Sequence, residues 1–105
     1  MRYVQLRAFH HVAICGGFSR AAEALHLTQP AVSDQVRKLE IDYDIRLFDR
    51  NRKQIALTPH GEKLLEFTHR LFEVEQQAAE YLNAERTLRS GRLNIIADSP
   101  HHILH

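Results

Sequence analysis

The sequence has little of what stabilises secreted or membrane-embedded proteins. It contains one cysteine, Cys15, so an intramolecular disulfide is excluded and a reducing compartment is expected. No apolar run approaches the roughly 18 to 20 residues that a membrane-spanning helix needs. Charged residues also occur within residues 1–7, where a signal peptide is apolar. We therefore expect a soluble, cytoplasmic protein.

Length and composition predict one modest hydrophobic core. The chain has 105 residues, of which 44% are hydrophobic and 26% charged, and its formal net charge is +1. The charge is unevenly divided, because residues 1–58 hold nine of the fourteen lysines and arginines but only six of the thirteen acids. A basic surface at this end is compatible with a nucleic-acid partner, although the net charge is almost neutral.

Apolar spacing predicts two short helices at the N-terminus. In the first, Leu6 and Phe9 recur at a helical interval, and the pattern stops at Gly16, where left-handed backbone angles cost nothing. The second carries Ala21 and Leu25, and its small residues allow neighbouring helices to approach closely. Two helices of this kind can pack against a third.

A third helix is predicted over about residues 28–40. Thr28 is a natural N-cap, and Pro30 lies in the first turn, where no intrahelical hydrogen bond is lost. Val32, Val36 and Leu39 are spaced by four and three residues, so they should face the first two helices. The opposite face carries the polar residues Gln29, Ser33, Asp34 and Arg37.

Two short extended segments follow, at residues 47–48 and 55–57, and a polar turn joins them within a predicted wing over about residues 49–56. Phe48 belongs to the first segment and Leu57 to the second. The turn between them is basic and is predicted to be a wing; its cations are Arg50, Arg52 and Lys53. A basic turn is suited to phosphates or to a narrow minor groove.

The longest periodic segment is predicted to be a helix over residues 59–89, opened by Thr58 and Pro59. About 30 helical residues would extend for about 45 Å, which is too long for so small a core to cover. Its apolar stripe therefore predicts a coiled-coil-like dimer seam, with folding back onto the N-terminal core as the alternative. The dimerisation residues are Leu64, Phe67, Leu71, Val74, Ala78 and Tyr81.

The C-terminal residues 90–105 are predicted to begin a separate domain. Ser90 and Gly91 should break the long helix, and residues 92–97 alternate in polarity like a strand. A lone strand has no partner in so short a segment. We therefore expect that the chain is part of a longer protein.

The N-terminal residues resemble those of the LysR-type transcriptional regulators, over about residues 3–97. The resemblance is specific because the spacing holds through the helices, the wing and the linker together. The matching blocks are residues 6–9, 18–22, 29–33, Gln35, Leu39 with Glu40, Leu47 with Phe48, Arg50, Leu57 with Thr58, and Gly61.

The resemblance implies a mainly α fold, a winged helix-turn-helix with a three-helix core and a two-stranded wing, followed by a long dimerisation helix. It implies binding of double-stranded DNA at a dyad-symmetric operator by a homodimer, with a tetramer for the full-length protein. A C-terminal domain would bind a small-molecule effector. It implies DNA contacts by Gln29, Pro30, Ser33, Arg37 and Arg50 with the other wing residues. The full set of candidate DNA-binding residues is Gln29, Pro30, Ser33, Asp34, Arg37, Arg50, Arg52 and Lys53. Departures from the family pattern are Gly17 in place of a frequent serine cap, Asp34 in place of a basic or polar residue, and Arg52 in place of a frequent glycine.

Side-chain chemistry assigns roles on the third helix. Gln29 can pair with an adenine edge and Ser33 can donate or accept one turn later, whereas Arg37 can reach guanine or a phosphate. Asp34 is repelled by phosphates, yet it can accept from the amino group of cytosine or pair with Lys38, four residues away. We favour the Lys38 pairing.

Two other classes of protein are compatible with parts of the sequence. An enzyme or metal protein is disfavoured because His11 and Cys15 share a helix face without further ligands at a recognisable spacing, so neither metal nor cofactor is expected. A protein-protein adaptor that uses the heptad helix is the stronger alternative. An adaptor would more naturally expose apolar anchors than a basic wing and a polar helix.

Overall fold

The computed structural model describes residues 1–51 and 53–95. The elements are α1 Tyr3–Cys15, α2 Phe18–Leu25, α3 Gln29–Tyr43, β1 Phe48–Asp49, β2 Ala56–Leu57 and α4 Pro59–Ile95. The predicted winged helix-turn-helix fold is therefore confirmed. Among the described residues, no helix is both long and apolar enough to cross a bilayer.

The helix ends follow the local chemistry of the chain. Gly16, at a φ of 82°, caps α1 in the left-handed region, and Thr28 accepts a hydrogen bond from the backbone amide of Ala31 at 3.2 Å to open α3. Gly17 precedes α2 without a side-chain cap, consistent with the lack of a serine there. α3 continues to Tyr43, beyond the predicted end near residue 40, and ends at Asp44 in the left-handed conformation.

One core holds the three N-terminal helices and the wing together. The apolar face of α3 is buried as predicted, through Val32, Val36 and Leu39. Aromatic rings extend the core to the wing, since the ring centroid of Phe48 lies 5.4 Å from that of Phe9 and 5.7 Å from that of Phe18. Burial of Phe48 thus fixes the position at which β1 leaves the core.

The wing is a two-stranded antiparallel sheet in which Phe48 pairs with Leu57 and Asp49 with Ala56. Thr58 then caps α4, accepting from the amide of Gly61 at 3.0 Å while its hydroxyl donates to the carbonyl of Arg46 at 2.6 Å. Gly61 is required here because a Cβ at this position would lie 2.1 Å from the carbonyl oxygen of Leu47. The first turn of α4 is therefore packed directly on the backbone that leads into β1.

The predicted break at Ser90 and Gly91 is wrong, and so is the strand predicted from residue 92 as far as residue 95. α4 continues through both residues to Ile95. A glycine inside a helix costs about 1 kcal/mol relative to alanine, which an already nucleated helix can tolerate. Residues 96 and 97 of the predicted strand lie outside the described residues.

Two compact units divide the chain, Met1–Arg70 and a second that starts at Leu71. Within the first, α1 and the beginning of α4 meet at His10, whose Nδ1 lies 2.8 Å from the hydroxyl of Thr68. His10 is therefore buried between the two helices. Burial, together with the neighbouring His69 and His11, lowers the pKa of His10 from 6.5 to about 4.

Acidification should destabilise this junction. With its pKa lowered to about 4, His10 stays neutral in the fold down to about pH 4, whereas in the unfolded chain it takes up a proton near pH 6.5. Its contribution to the free energy of unfolding is therefore complete above pH 6.5. We expect the free energy of unfolding to fall by about 3 kcal/mol on its account as the pH drops through that window. Urea unfolding measured between pH 7.5 and 4 tests this dependence.

The matched variants are His10→Gln and His60→Gln, the latter at an exposed position in the first turn of α4. His10→Gln should flatten the pH dependence, and His60→Gln should leave it as in the unaltered chain. An equally steep dependence in His10→Gln would contradict the assignment.

Candidate nucleic-acid interface

The exposed face of α3 presents the polar side chains that the sequence predicted. Gln29 and Pro30 are exposed at its first turn, Ser33 is half-buried one turn later, and Arg37 is exposed a further turn along. The hydroxyl of Ser19, at the start of α2, donates to Oε1 of Gln29 at 3.3 Å. The Nε2 group of Gln29 and the second lone pair of Oε1 remain able to meet a base edge.

Asp34 forms the predicted ion pair with Lys38, and a second with Arg37. One carboxylate oxygen lies 3.0 Å from Nζ of Lys38, and the other 2.5 Å from Nη2 of Arg37. The hydrogen bond from Lys38 is the main cause that holds the pKa of Asp34 below its usual range. Arg37 is thus held on α3 before any ligand arrives.

Arg50 begins the wing turn but is anchored to the body of the domain. Its guanidinium Nη1 donates to Oε1 of Glu40 at 3.1 Å, and its Cζ lies 5.3 Å from the ring centroid of Phe18. The side chain is 35% exposed, and a guanidinium has five N–H donors. Donors therefore remain for an external anion.

Glu40 organises this region, a role that the sequence reasoning missed. It is only 7% exposed, and Oε2 accepts from the backbone amides of Leu47 at 2.7 Å and Phe48 at 3.3 Å. Together with the Arg50 pair, these bonds hold the start of β1 against α3. The available signal was an acid four residues after Val36, on the apolar face of α3.

A second residue that the sequence reasoning left aside is Arg46. An open cleft of about 430 Å³ lies beside the C-terminal half of α3, where Glu40 and Asp44 line it together with three guanidinium groups. The guanidinium groups belong to Arg37, Arg46 and Arg50. A phosphate near this cleft would meet cations from α3, from the loop before β1 and from the wing together.

The tip of the wing is described in part. Lys53 is exposed in the turn, whereas Arg52 lies outside the described residues. The amide of Asn51 donates to Oδ1 of Asp49 at 3.0 Å, which tightens the turn after β1. Within the described ranges 1–51 and 53–95, no group of three or more histidine, cysteine, aspartate or glutamate side chains is placed to hold a metal ion.

The predicted dimerisation residues differ in their surroundings. Leu64 is half-buried and packs against the N-terminal core. The stripe beyond it is open: Phe67 is 51% exposed, Val74 61% and Tyr81 63%, and Leu71 and Ala78 are exposed as well. Large apolar side chains in such a row are typical of a surface that binds a partner.

Three compact helices with a basic two-stranded wing and a polar third helix define a winged helix-turn-helix protein. Residues 3–62 match the family model of the bacterial regulatory helix-turn-helix proteins of the lysR family. The chain therefore belongs to this family.

Individual relatives agree with this assignment. The chain is 42% identical over 103 residues to an uncharacterised HTH-type transcriptional regulator of Azotobacter vinelandii, covering 98% of this chain and 70% of that protein. It is 43% identical over 91 residues to the HTH-type transcriptional regulator CfxR of Cupriavidus necator, covering 87% of this chain but only 29% of the relative. The chain thus spans less than a third of CfxR.

A solved structure shows the same fold. The BenM DNA-binding domain, in complex with catB site 1 DNA, superposes with a TM-score of 0.73 at 28% identity. The match covers 79% of this chain and 93% of that one. The winged helix-turn-helix and the beginning of the long helix are therefore those of a LysR-type DNA-binding domain.

Proposed function

We propose that residues 1–58 bind double-stranded DNA in a sequence-specific manner, with α3 in the major groove. The observation that carries this proposal is the two-sided nature of α3: its apolar face is buried, while Gln29, Ser33 and Arg37 lie on the accessible side. Amide, hydroxyl and guanidinium groups can read base edges. Gln29 and Ser33 would specify the sequence, and Pro30 would contact the groove beside them.

The wing supplies contacts to the DNA backbone or the minor groove in this proposal. Arg50 and Lys53 contribute cations, as does Arg52, and Arg46 adds a further one at the cleft beside α3. Such contacts position a protein on the duplex without reading its sequence. They also make binding dependent on salt.

A salt titration with variants of the wing and of α3 tests whether the wing contacts the DNA backbone while α3 reads the bases. If a dimer neutralises about six phosphates, the logarithm of its binding constant should fall against log salt with a slope of roughly −5. Lys53→Ala should weaken binding to every duplex and reduce the slope by about 1.8 per dimer, whereas Gln29→Ala should mainly relax base preference. Fluorescence anisotropy on a selected and a random duplex measures both effects.

Lys53 is the better wing position for this test because truncating Arg50 would also leave Glu40 without its cation. Asn51→Ala, also exposed on the wing, is the uncharged control and should keep the slope. A slope near zero, or equal losses on both duplexes from the Lys53 and Gln29 variants, would contradict the proposal.

We further propose that α4 pairs two copies of the chain through the apolar side chains Phe67, Leu71, Val74, Ala78 and Tyr81. A second copy would remove these side chains from water, and a two-fold dimer would fit a dyad-symmetric operator. The region after the helix would lead into an effector-binding domain. The full-length protein would be a tetramer that responds to a small-molecule effector. It would act in the bacterial cytoplasm.

An adaptor that binds only proteins gains no support from the comparisons, whose solved structures include a DNA complex. The relatives are transcriptional regulators, and we assign the chain a binding role, without catalysis.

A further inference from the structure

The exposed surface of α3 contains a compact group of opposite charges. Asp34 lies between Arg37 and Lys38 in space, with one carboxylate oxygen directed to each cation. We call these three side chains the α3 charge triad. All three are substantially exposed, at 36% for Asp34, 63% for Arg37 and 55% for Lys38, so the triad faces the medium from which DNA arrives.

The triad stands next to the groups proposed to read DNA. Asp34 directly follows Ser33, and Arg37 lies one helical turn beyond Ser33 on the same face. A duplex whose bases lie against Ser33 therefore also comes close to Asp34. A carboxylate at that position is repelled by every backbone, whatever the sequence.

Pairing with Asp34 also lowers the attraction of the two cations for phosphates. Binding to unrelated DNA depends almost entirely on lysine and arginine contacts with the backbone. Either cation of the triad must leave the carboxylate, or share its donors with it, before binding a phosphate. Unrelated DNA gives no compensation for this cost.

A particular sequence can compensate for it. The amino group of cytosine is a donor in the major groove, and a carboxylate is the side chain that accepts from it. A cytosine opposite Asp34 would satisfy one carboxylate oxygen and release Arg37 to a neighbouring base or phosphate. The same acid would then cost less on such a site than elsewhere.

We propose that Asp34 is a specificity-determining residue, which holds Arg37 and Lys38 in the α3 charge triad and lowers affinity for unrelated DNA more than for the recognised site. This inference rests on the proposed DNA-binding function. Its basis in the chain is the double ion pair that Asp34 forms with Arg37 and Lys38 on the accessible side of α3.

The main test compares Asp34→Asn with the unaltered chain on two duplexes of equal length. One duplex is the sequence that the unaltered chain enriches from a randomised pool, and the other is a random sequence. We expect Asp34→Asn to bind the random duplex about tenfold more tightly, with a salt slope steeper by about 1.8 per dimer. The selected duplex should gain less than threefold, so the specificity ratio falls.

Asp42→Asn is the matched control, since Asp42 is an exposed acid two turns further along α3. It makes the same change of charge on the same helix and should alter binding to both duplexes equally and by less than threefold. Thermal unfolding should show both variants folded, because neither acid is buried.

A second background separates the triad from a simple charge effect. In Arg37→Gln/Lys38→Gln, the additional change Asp34→Asn removes only the direct repulsion between the carboxylate and the phosphates, so it should tighten binding to random DNA by less than about threefold. An undiminished tenfold effect there would overturn the triad as the cause. Equal gains on both duplexes, or no gain on the random duplex, would overturn the inference.

The two proposals fail differently. If the unaltered chain shows no salt-dependent binding to either duplex, the DNA-binding proposal fails and this inference fails with it. If the unaltered chain binds with the expected slope and Asp34→Asn binds identically, only the inference is overturned.

Discussion

Leu71→Asp is expected to turn the proposed dimer into a monomer and to weaken binding to a dyad-symmetric duplex by about a hundredfold or more. Leu71 is 42% exposed within the apolar stripe of α4, and a carboxylate there would be buried without a partner in the proposed seam. When two DNA-binding domains are linked, binding of the first raises the effective concentration of the second, which increases affinity by a factor of about 10² to 10⁴. Separating the copies removes this factor.

Sedimentation velocity and fluorescence anisotropy on the same samples measure the two effects together. Ala79→Asp introduces the same charge at an exposed position outside the predicted seam, and it should leave both the dimer and its affinity intact. A monomeric Leu71→Asp chain that still binds the duplex as tightly as the unaltered chain would contradict the proposed role of α4.

Glu40→Ala should produce the largest loss of folding stability among the polar changes considered. Its carboxylate accepts from two backbone amides, and a hydrogen bond to a charged group contributes about 1.5 to 3 kcal/mol. The pair with Arg50 adds less, because that guanidinium is 35% exposed and screened by solvent. We expect the free energy of unfolding to fall by about 4 kcal/mol, a large part of the stability of a small domain.

Urea unfolding measures this loss, and Glu23→Ala, at an exposed position of α2, is the matched control. Glu40→Gln should still accept the hydrogen bond from the Leu47 amide but lose the attraction to Arg50. Its stability should therefore lie between those of Glu40→Ala and Glu23→Ala. A Glu40→Ala chain as stable as Glu23→Ala would show that the start of β1 is held by its apolar contacts alone.

Local chemistry made most of the fold predictable. The glycine at position 16, the Thr28 cap and the spacing of Val32, Val36 and Leu39 each act within a few residues, and the structure confirms each of them. The pairing of Asp34 with Lys38 was predictable for the same reason, because residues four apart in a helix are neighbours.

The missed features depend on contacts between distant parts of the chain. His10 is buried against Thr68, 58 residues later, and Glu40 meets Arg50 only after the chain has turned back at the end of α3. The continuation of α4 through Ser90 and Gly91 has another origin, because the cooperativity of a long helix outweighs the weak local preference of these two residues to end it. The DNA-binding and dimerisation residues themselves remain predictions.

The burial pattern of α3 has a consequence for how such a regulator can diverge. Its inward residues determine whether the domain folds, and its outward residues, Gln29, Ser33 and Arg37, lie outside the buried core. Surface substitutions away from caps and buried networks usually change stability by less than about 0.5 kcal/mol. Descendants of this chain could therefore acquire new target sequences by exchanging a few outward side chains, while the scaffold that presents them stays the same.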